Sequence, residues 1–205
     1  MTAQTHETPS LSGRERAAKA EAVAKAKAIA PAVAAKIGST PKTTFRGDPD
    51  IFGRLVEDHD RHRALLAMIE ETQGDSDDRN VLFEELTREL KAHAAAEEQA
   101  LWSTVLRDPA TTDFARHAIA EHKEIDEMLA DLAARDKGSP GWLRRFAALK
   151  EEYLHHIREE EQEQFVAAER RLSDADTRYM RKVFERRKKV EKTQAKIEKK
   201  LRREP

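Results

Sequence analysis

The chain has 205 residues, 38% of them charged and 5% aromatic, with 7 Gly, 7 Pro and no Cys. That profile predicts one ordinary domain with appended segments, mostly α-helix with wet outer faces; disulfides, thiolate metal ligands and thiol nucleophiles are excluded. A formal net charge of −1 hides a strong asymmetry, since residues 1–47 carry +5, residues 181–205 carry +8 and the stretch between carries −14.

The first residues, MTAQTHETPSLSGRERAAK, lack the apolar run of a signal peptide, and no stretch of 18 apolar residues occurs anywhere. The expectation is a soluble cytoplasmic protein. Residues 14–37 are Ala/Lys-rich, with helix propensity but few large apolar side chains and a Pro at 31. Residues 38–50 (GSTPKTTFRGDPD) are rich in turn formers. Residues 1–47 therefore read as a flexible or weakly helical arm and linker.

From residue 51 apolar positions recur three and four apart, the mark of helices packed on one side. Four stretches follow. The first, about 51–73, aligns Leu55, His59, His62, Leu66 and Ile69, and the second, about 79–106, aligns Leu82, Leu86, Leu90, His93, Glu97 and Leu101. The third, about 112–135, aligns Ile119, His122, Ile125 and Leu129; the fourth, about 142–171, aligns Phe146, Leu149, Tyr153, His156 and Glu160. Turn-rich segments at 74–78, 108–109 and 137–141 separate them. Short connections favour an all-α, antiparallel up-down-up-down four-helix bundle over residues 48–172.

Ser173 is a plausible N-cap for one more helix. Residues 173–205 predict a basic C-terminal helix with a thin stripe of Val183, Val190, Ile197 and Leu201. Such a helix packs on the acidic bundle, pairs with another chain, or binds an anionic partner such as nucleic acid or a membrane surface.

One pattern occurs twice at a fixed offset of 63 residues: His59 recurs as His122, His93 as His156 and Glu97 as Glu160, and the acidic neighbours Asp58 and Glu98 recur as Glu121 and Glu161. A His and a Glu four apart on a helix share one face and can reach one inward site. The spacing alone is weak evidence, because His93, His117, His155 and His156 all have Glu four residues on. The offset separates them: His117 and His155 have Arg54 and Ala92 at their matching positions, while His93 and His156 match each other on apolar stripes. Four imidazoles and two carboxylates converging in a bundle are costly to bury unless paired or bound to metal. Nitrogen and oxygen donors without thiolate suit iron, manganese or zinc.

At these residues the sequence resembles the hemerythrin-like family of His-His-Glu cation-binding bundles, through LVEDHDRHRALL (55–66), LKAHAAAEEQALW (90–102), AEHKEIDEML (120–129) and YLHHIREEEQEQF (153–165). The resemblance implies a di-iron centre with His59, His93, His122 and His156 as nitrogen ligands and Glu97 and Glu160 as bridging carboxylates; manganese and zinc accept the same donors. It also implies dioxygen, peroxide or nitric oxide as the small ligand, and carrier, sensor and reductase roles all occur on this fold. No flavin or nicotinamide fingerprint is present, so a redox role needs a separate electron donor. The alternative is an iron- or oxygen-responsive protein whose metal occupancy controls partner binding through the basic ends.

The sequence departs from the oxygen carriers of this family. Ala118 stands where they have a further His, and Glu160 lies four residues after His156 where they place Asp five after. These departures favour redox chemistry or sensing over oxygen storage. A ferritin-like reading fits poorly, since only Glu152 and His155 have its Glu-x-x-His spacing. Tyr153 is placed to bond a metal-bound ligand, to supply a phenolate or simply to fill space. His62 is read as a proton donor or a surface-reaching side chain rather than a seventh ligand. Asp58 and Glu121 either orient neighbouring ligands or, the plainer expectation, are solvated surface carboxylates.

Overall fold

The structure is a computed structural model that describes residues 13–37 and 45–202. Among the described residues its regular secondary structure is helix, with no strand. Four helices coincide with the apolar-periodic stretches to within a few residues. They are α2 (Ile51–Glu70), α3 (Asp77–Glu97), α4 (Thr112–Ala134) and α5 (Pro140–Glu159). α3 runs on through a π-helical turn, Glu98–Trp102, into Ser103–Val105, and α5 runs on through a second, Glu160–Gln164, into Phe165–Glu169.

Local chemistry fixes where these helices begin. Asp50, in extended backbone, accepts hydrogen bonds from the amides of Phe52 and Gly53 at 3.0 and 3.1 Å and so caps α2. Position 53 must be Gly, because a Cβ there would lie 2.1 Å from the Asp48 carbonyl oxygen. Ser76 caps α3 after a turn in which Gly74 takes a φ of +61°. Pro140 occupies the first turn of α5, where its missing N–H costs nothing.

α2 packs against α3 and α5, and α4 against the same two, so the four close into a bundle. The apolar residues inside divide into two clusters. One gathers Leu66, Ile69, Leu86, Leu129, Trp142 and Phe146; the other gathers Phe52, Leu55, Leu101, Trp102, Ala118 and Phe165. The layer between them is occupied by His and Glu side chains.

Residues 13–34, expected to be at most weakly helical, form a 22-residue α1 (Gly13–Ala34) seated on α2 and α3. Its buried residues are Ala26, Ala30 and Ala34, a four-residue spacing of small side chains that lets one helix lie close on another. Residues 1–12 and 38–44, which hold the rest of the arm and most of the linker, lie outside the described residues.

α6 (Asp174–Gln194) starts at the Ser173 cap, which forms a reciprocal capping box with Asp176. Two features differ from expectation. The helix ends at Gln194 rather than near residue 203, and the following chain is held by α4: the Lys200 amide donates to the Ala130 carbonyl at 3.1 Å, and the Arg202 amide to Asp131 Oδ1 at 2.8 Å. The buried face is Thr177, Met180, Phe184 and Lys188, while Val190 and Leu201 of the expected stripe are exposed. The cause is electrostatic. The Lys188 ammonium reaches Asp58 at 2.5 Å and Glu89 at 2.6 Å, and Lys192 pairs with Glu85 and Glu89, so acid on α2 and α3 sets the phase of α6. No helix among the described residues is long and apolar enough to cross a membrane.

Candidate metal centre

The polar layer is built from one His on each of α2, α3, α4 and α5, together with the Glu residues that close α3 and open the second π-helical turn. His59, His93, Glu97, His122, His156 and Glu160 are all buried and face one another. Glu160 Oε2 is 3.3 Å from His59 Nε2, and its Oε1 is 3.5 Å from His156 Nε2. Glu97 Oε2 is 3.6 Å from His93 Nε2 and 3.5 Å from His122 Nε2. Each carboxylate thus faces imidazoles from both halves of the duplicated pattern, Glu160 with His122 as well at 4.0 Å. The rings pair as His59 with His93 and His122 with His156, at centroid distances of 5.1 and 4.9 Å.

The outward nitrogens are anchored to carboxylates. His93 Nδ1 bonds Asp58 at 3.2 Å, His122 Nδ1 bonds Glu98 at 2.9 Å, His156 Nδ1 bonds Glu121 at 2.9 Å and His59 Nδ1 bonds Glu161 at 2.9 Å. The order is cyclic. An acid on α2 holds the His of α3, one on α3 that of α4, one on α4 that of α5 and one on α5 that of α2. Asp58 and Glu121 are therefore not the solvated surface groups that was the plainer reading; both are buried and orient imidazoles. The π-helical turns beginning at Glu98 and Glu160 accompany this arrangement, since a wider turn brings successive side chains closer around the axis. Glu97 and Glu160 can then point inward while Glu98 and Glu161 reach the next helix.

With Nδ1 anchored, the inner atoms are left without hydrogen-bond partners. His59, His93 and His122 Nε2, both oxygens of Glu97 and both oxygens of Glu160 are buried and unpaired. Burial of so many unpaired polar atoms is expensive, and a cation satisfies them. Bonds of about 2.1 Å to a metal separate neighbouring donors by roughly 3.0–3.4 Å, close to the spacings above. Two donor groups could each hold an ion, His59 with His93 and Glu160, and His122 with His156 and Glu160. Glu160 belongs to both. The donor set fits a pair of cations of the iron, manganese or zinc type.

Charge in the layer is consistent with that fit. Burial works against a charged His59, yet Glu160 and Glu161 outweigh it and hold the imidazole up at about 9. Burial opposes a charged His122 in the same way, and Glu97 and Glu98 raise it to about 10. Burial and the nearby Glu97 push the Glu160 carboxyl up. His93 and His156 go the other way, held well below the usual imidazole range, first by burial and then by their cationic neighbours. The layer demands positive charge, which protons on His59 and His122 supply in the absence of metal.

Beside His93 lies a second polar line. His62 Nδ1 is 2.5 Å from the Tyr153 hydroxyl, and its Nε2 is 3.8 Å from Glu89 Oε2. His62 is buried, not surface-reaching, and burial pushes it down to about 4, so it is a neutral ring. Burial and Glu160 hold the Tyr153 hydroxyl well above its ordinary range, so it is a phenol that donates to His62. Glu89 in turn meets Lys188 and Lys192 of α6. Sequence reasoning passed over Glu89 and Lys188, because a Lys in a basic helix and a Glu in an acidic bundle look like solvated charges. His117 and His155 lie on the outer surface away from this layer, as the offset argument required.

A cavity of about 370 Å³ opens between α3 and α4. Its walls include Leu90, Ala94 and Ile119, and its floor is His93, His122, His156 and Tyr153. Lys91 and Asp126 pair across its mouth at 2.7 Å. The layer is thus reachable by a small molecule from one side.

Residues 50–168 match the family model described as hemerythrin HHE cation binding domain. Among solved structures, the chain is similar to a hemerythrin HHE cation binding domain-containing protein from Mycobacterium kansasii, at 25% identity and a TM-score of 0.64 over 71% of this chain and 88% of that one. No curated protein matches the sequence.

Proposed function

Because the chain belongs to the hemerythrin HHE cation-binding family, we propose that it is a non-haem di-iron protein that binds or reduces dioxygen, peroxide or nitric oxide at a carboxylate-bridged centre inside an antiparallel four-helix bundle. The observation that carries this reading is the set of unpaired inner atoms, three imidazole Nε2 and four carboxylate oxygens, around which every Nδ1 is already tied to an acid. His59 and His93 would hold one ion, His122 and His156 the other, with Glu97 and Glu160 between them. Bound iron would supply electrons and open coordination positions for a small ligand.

The chain's own residues do the rest. The cavity between α3 and α4 admits a small ligand and leads to His93, His122 and His156. Tyr153 and His62 form a neutral hydrogen-bonded pair at the edge of the layer; with its one proton given to His62, the phenol oxygen can accept from a protonated small ligand, and His62 and Glu89 connect the pair to α6. Six protein ligands and no extra imidazole at Ala118 leave positions for exchange, which favours turnover or sensing over storage.

Metal analysis of the purified protein tests the first step, with about two iron per chain expected. Anaerobic reduction followed by mixing with oxygen or peroxide tests the second, with a ligand-to-metal charge-transfer band expected in the near-ultraviolet or visible. Iron-loaded protein that shows no spectral response to either oxidant would overturn the reading.

A second reading is supported by α6, which lies beyond the matched residues 50–168. Its Lys188 touches Asp58, the acid that holds His93, and its Phe184 ring packs 5.6 Å from His93. Metal occupancy would then set how firmly α6 is seated, and a released basic α6 would engage an anionic partner. Protease resistance of α6 with and without metal tests this.

A further inference from the structure

The outer face of α4 and α5 carries a second cluster of metal-ligating side chains that the inner centre does not use. His117 Nε2 lies 3.0 Å from Glu159 Oε2 and 3.3 Å from Glu121 Oε1. His155 Nε2 lies 3.3 Å from Glu159 Oε1. One donor atom each from His117, Glu121 and Glu159 falls within 4.8 Å of the others. Donors held by bonds of about 2.1 Å sit roughly 3.0–3.4 Å apart, so His117 already stands at ligand separation from both Glu121 and Glu159, while His155 faces the other oxygen of Glu159.

The duplicated architecture supplies an independent argument. The 63-residue offset that relates the halves places Glu121 where Asp58 stands and His117 where Arg54 stands. Asp58 is surrounded by fixed cations, with Arg54 at 2.6 Å, Lys188 at 2.5 Å and Arg61 also paired to it. Glu121 meets only imidazoles, His117 outside and His156 inside, and no Lys or Arg of the described residues pairs with it or with Glu159. Two acids that perform the same task for His93 and His156 thus differ in compensation. One half has guanidinium and ammonium groups, and the other has a pair of imidazoles that bind a cation only when neutral. A bound metal ion would provide the positive charge that Arg54 and Lys188 provide in the other half.

We propose that His117, Glu121 and Glu159 form a surface site for a divalent first-row transition metal such as zinc or ferrous iron, with His155 holding the other oxygen of Glu159. The site ties α4 to α5 and is joined to the inner centre through Glu121. One oxygen of Glu121 accepts from His156 Nδ1 at 2.9 Å and the other faces the outer ion. Access is direct, since the His117 and His155 side chains are 54% and 52% exposed.

Equilibrium dialysis of the iron-loaded protein against zinc, with both metals counted in the same sample, tests the proposal. The wild type is expected to take up about one zinc per chain while its iron is retained. His117→Ala and Glu159→Gln should each weaken that uptake at least tenfold, and His155→Ala by a smaller factor. His117→Arg, which copies the other half, should abolish uptake without loss of thermal stability. These surface residues are separate from the inner ligands, so iron content reports the inner centre and variant-sensitive zinc reports this one. No additional zinc at micromolar concentration, or additional zinc equally present in His117→Ala and Glu159→Gln, would overturn it.

Discussion

An imidazole that is to bind through Nε2 must be held by Nδ1, which fixes both its tautomer and the plane of its ring. Here that task falls to Asp58, Glu98, Glu121 and Glu161, each adjacent in sequence to an inner ligand and each acting on the next helix. Glu98 offers the cleanest trial, because its side chain is partly exposed and pairs with His122. Glu98→Gln keeps the shape but removes the charge, and we expect iron affinity to fall about 10- to 100-fold with the fold intact. Competition with a chelator measures it, and unchanged affinity would deny the acid its role. The inner six residues were legible in the sequence because duplication singles them out from chance His-Glu spacings. The acids recur at the same offset, but a linear pattern cannot tell an acid turned to solvent from one turned to the neighbouring helix. For Glu98 and Glu161 that distinction arises from the π-helical turns, which no residue type announces, and for Asp58 and Glu121, in regular α-helix, from which helix lies beside them.

At the scale of elements, α6 shows how periodicity can mislead. Val183, Val190 and Ile197 mark a seven-residue stripe in the sequence, yet the seated face is Thr177, Met180, Phe184 and Lys188. Val183 and Ile197 still pack on the core from partly buried positions, but the buried ammonium between two acids leaves Val190 exposed. Removing one member of a buried ion pair leaves the others uncompensated. The cost of Lys188→Met should sit near the low end, about 3 kcal/mol, because Asp58 keeps Arg54 and Glu89 keeps Lys192. Metal bound at His93 would fix that ring, and through it Asp58 and Lys188. Limited proteolysis should therefore cut within α6 at least several-fold more slowly in iron-loaded than in metal-free protein. In Lys188→Met cleavage should be fast in both states. Equal cleavage of loaded and metal-free wild type would remove the coupling. The four ligand-bearing helices were readable because their apolar stripes are dense and turn-rich segments separate them, whereas α1 buries only Ala26, Ala30 and Ala34, with Ile29 and Val33 partly buried beside them, a weak hydrophobic signal.

For the molecule as a whole, a layer of charge is clamped between two apolar clusters, and its net demand for cations links stability to pH. In metal-free protein His59 and His122 sit at about 9 and about 10, above the ordinary imidazole value near 6.5. The folded state therefore holds more protons than the unfolded chain between those limits, and stability declines as pH rises through that window. The raised Glu160 carboxyl acts in the same direction. His93 and His156, depressed in the fold, act oppositely, but their contribution is complete once the pH exceeds about 6.5. Stability of the metal-free protein should accordingly peak near neutrality and fall toward pH 9.5, with the melting temperature down by about 5 °C or more. Metal reverses the trend, since it binds neutral imidazoles and competes with the protons it displaces. Loading at pH 7 should release about three protons per chain, from His59, His122 and the Glu160 carboxyl, and the melting gap between loaded and metal-free protein should widen with pH. Melting curves of both forms at pH 6.5 and 9.5, with a dye assay of proton release, check this. A metal-free melting temperature that stays level across that window would mean that protons do not stand in for metal in the layer and that its charge does not call for cations.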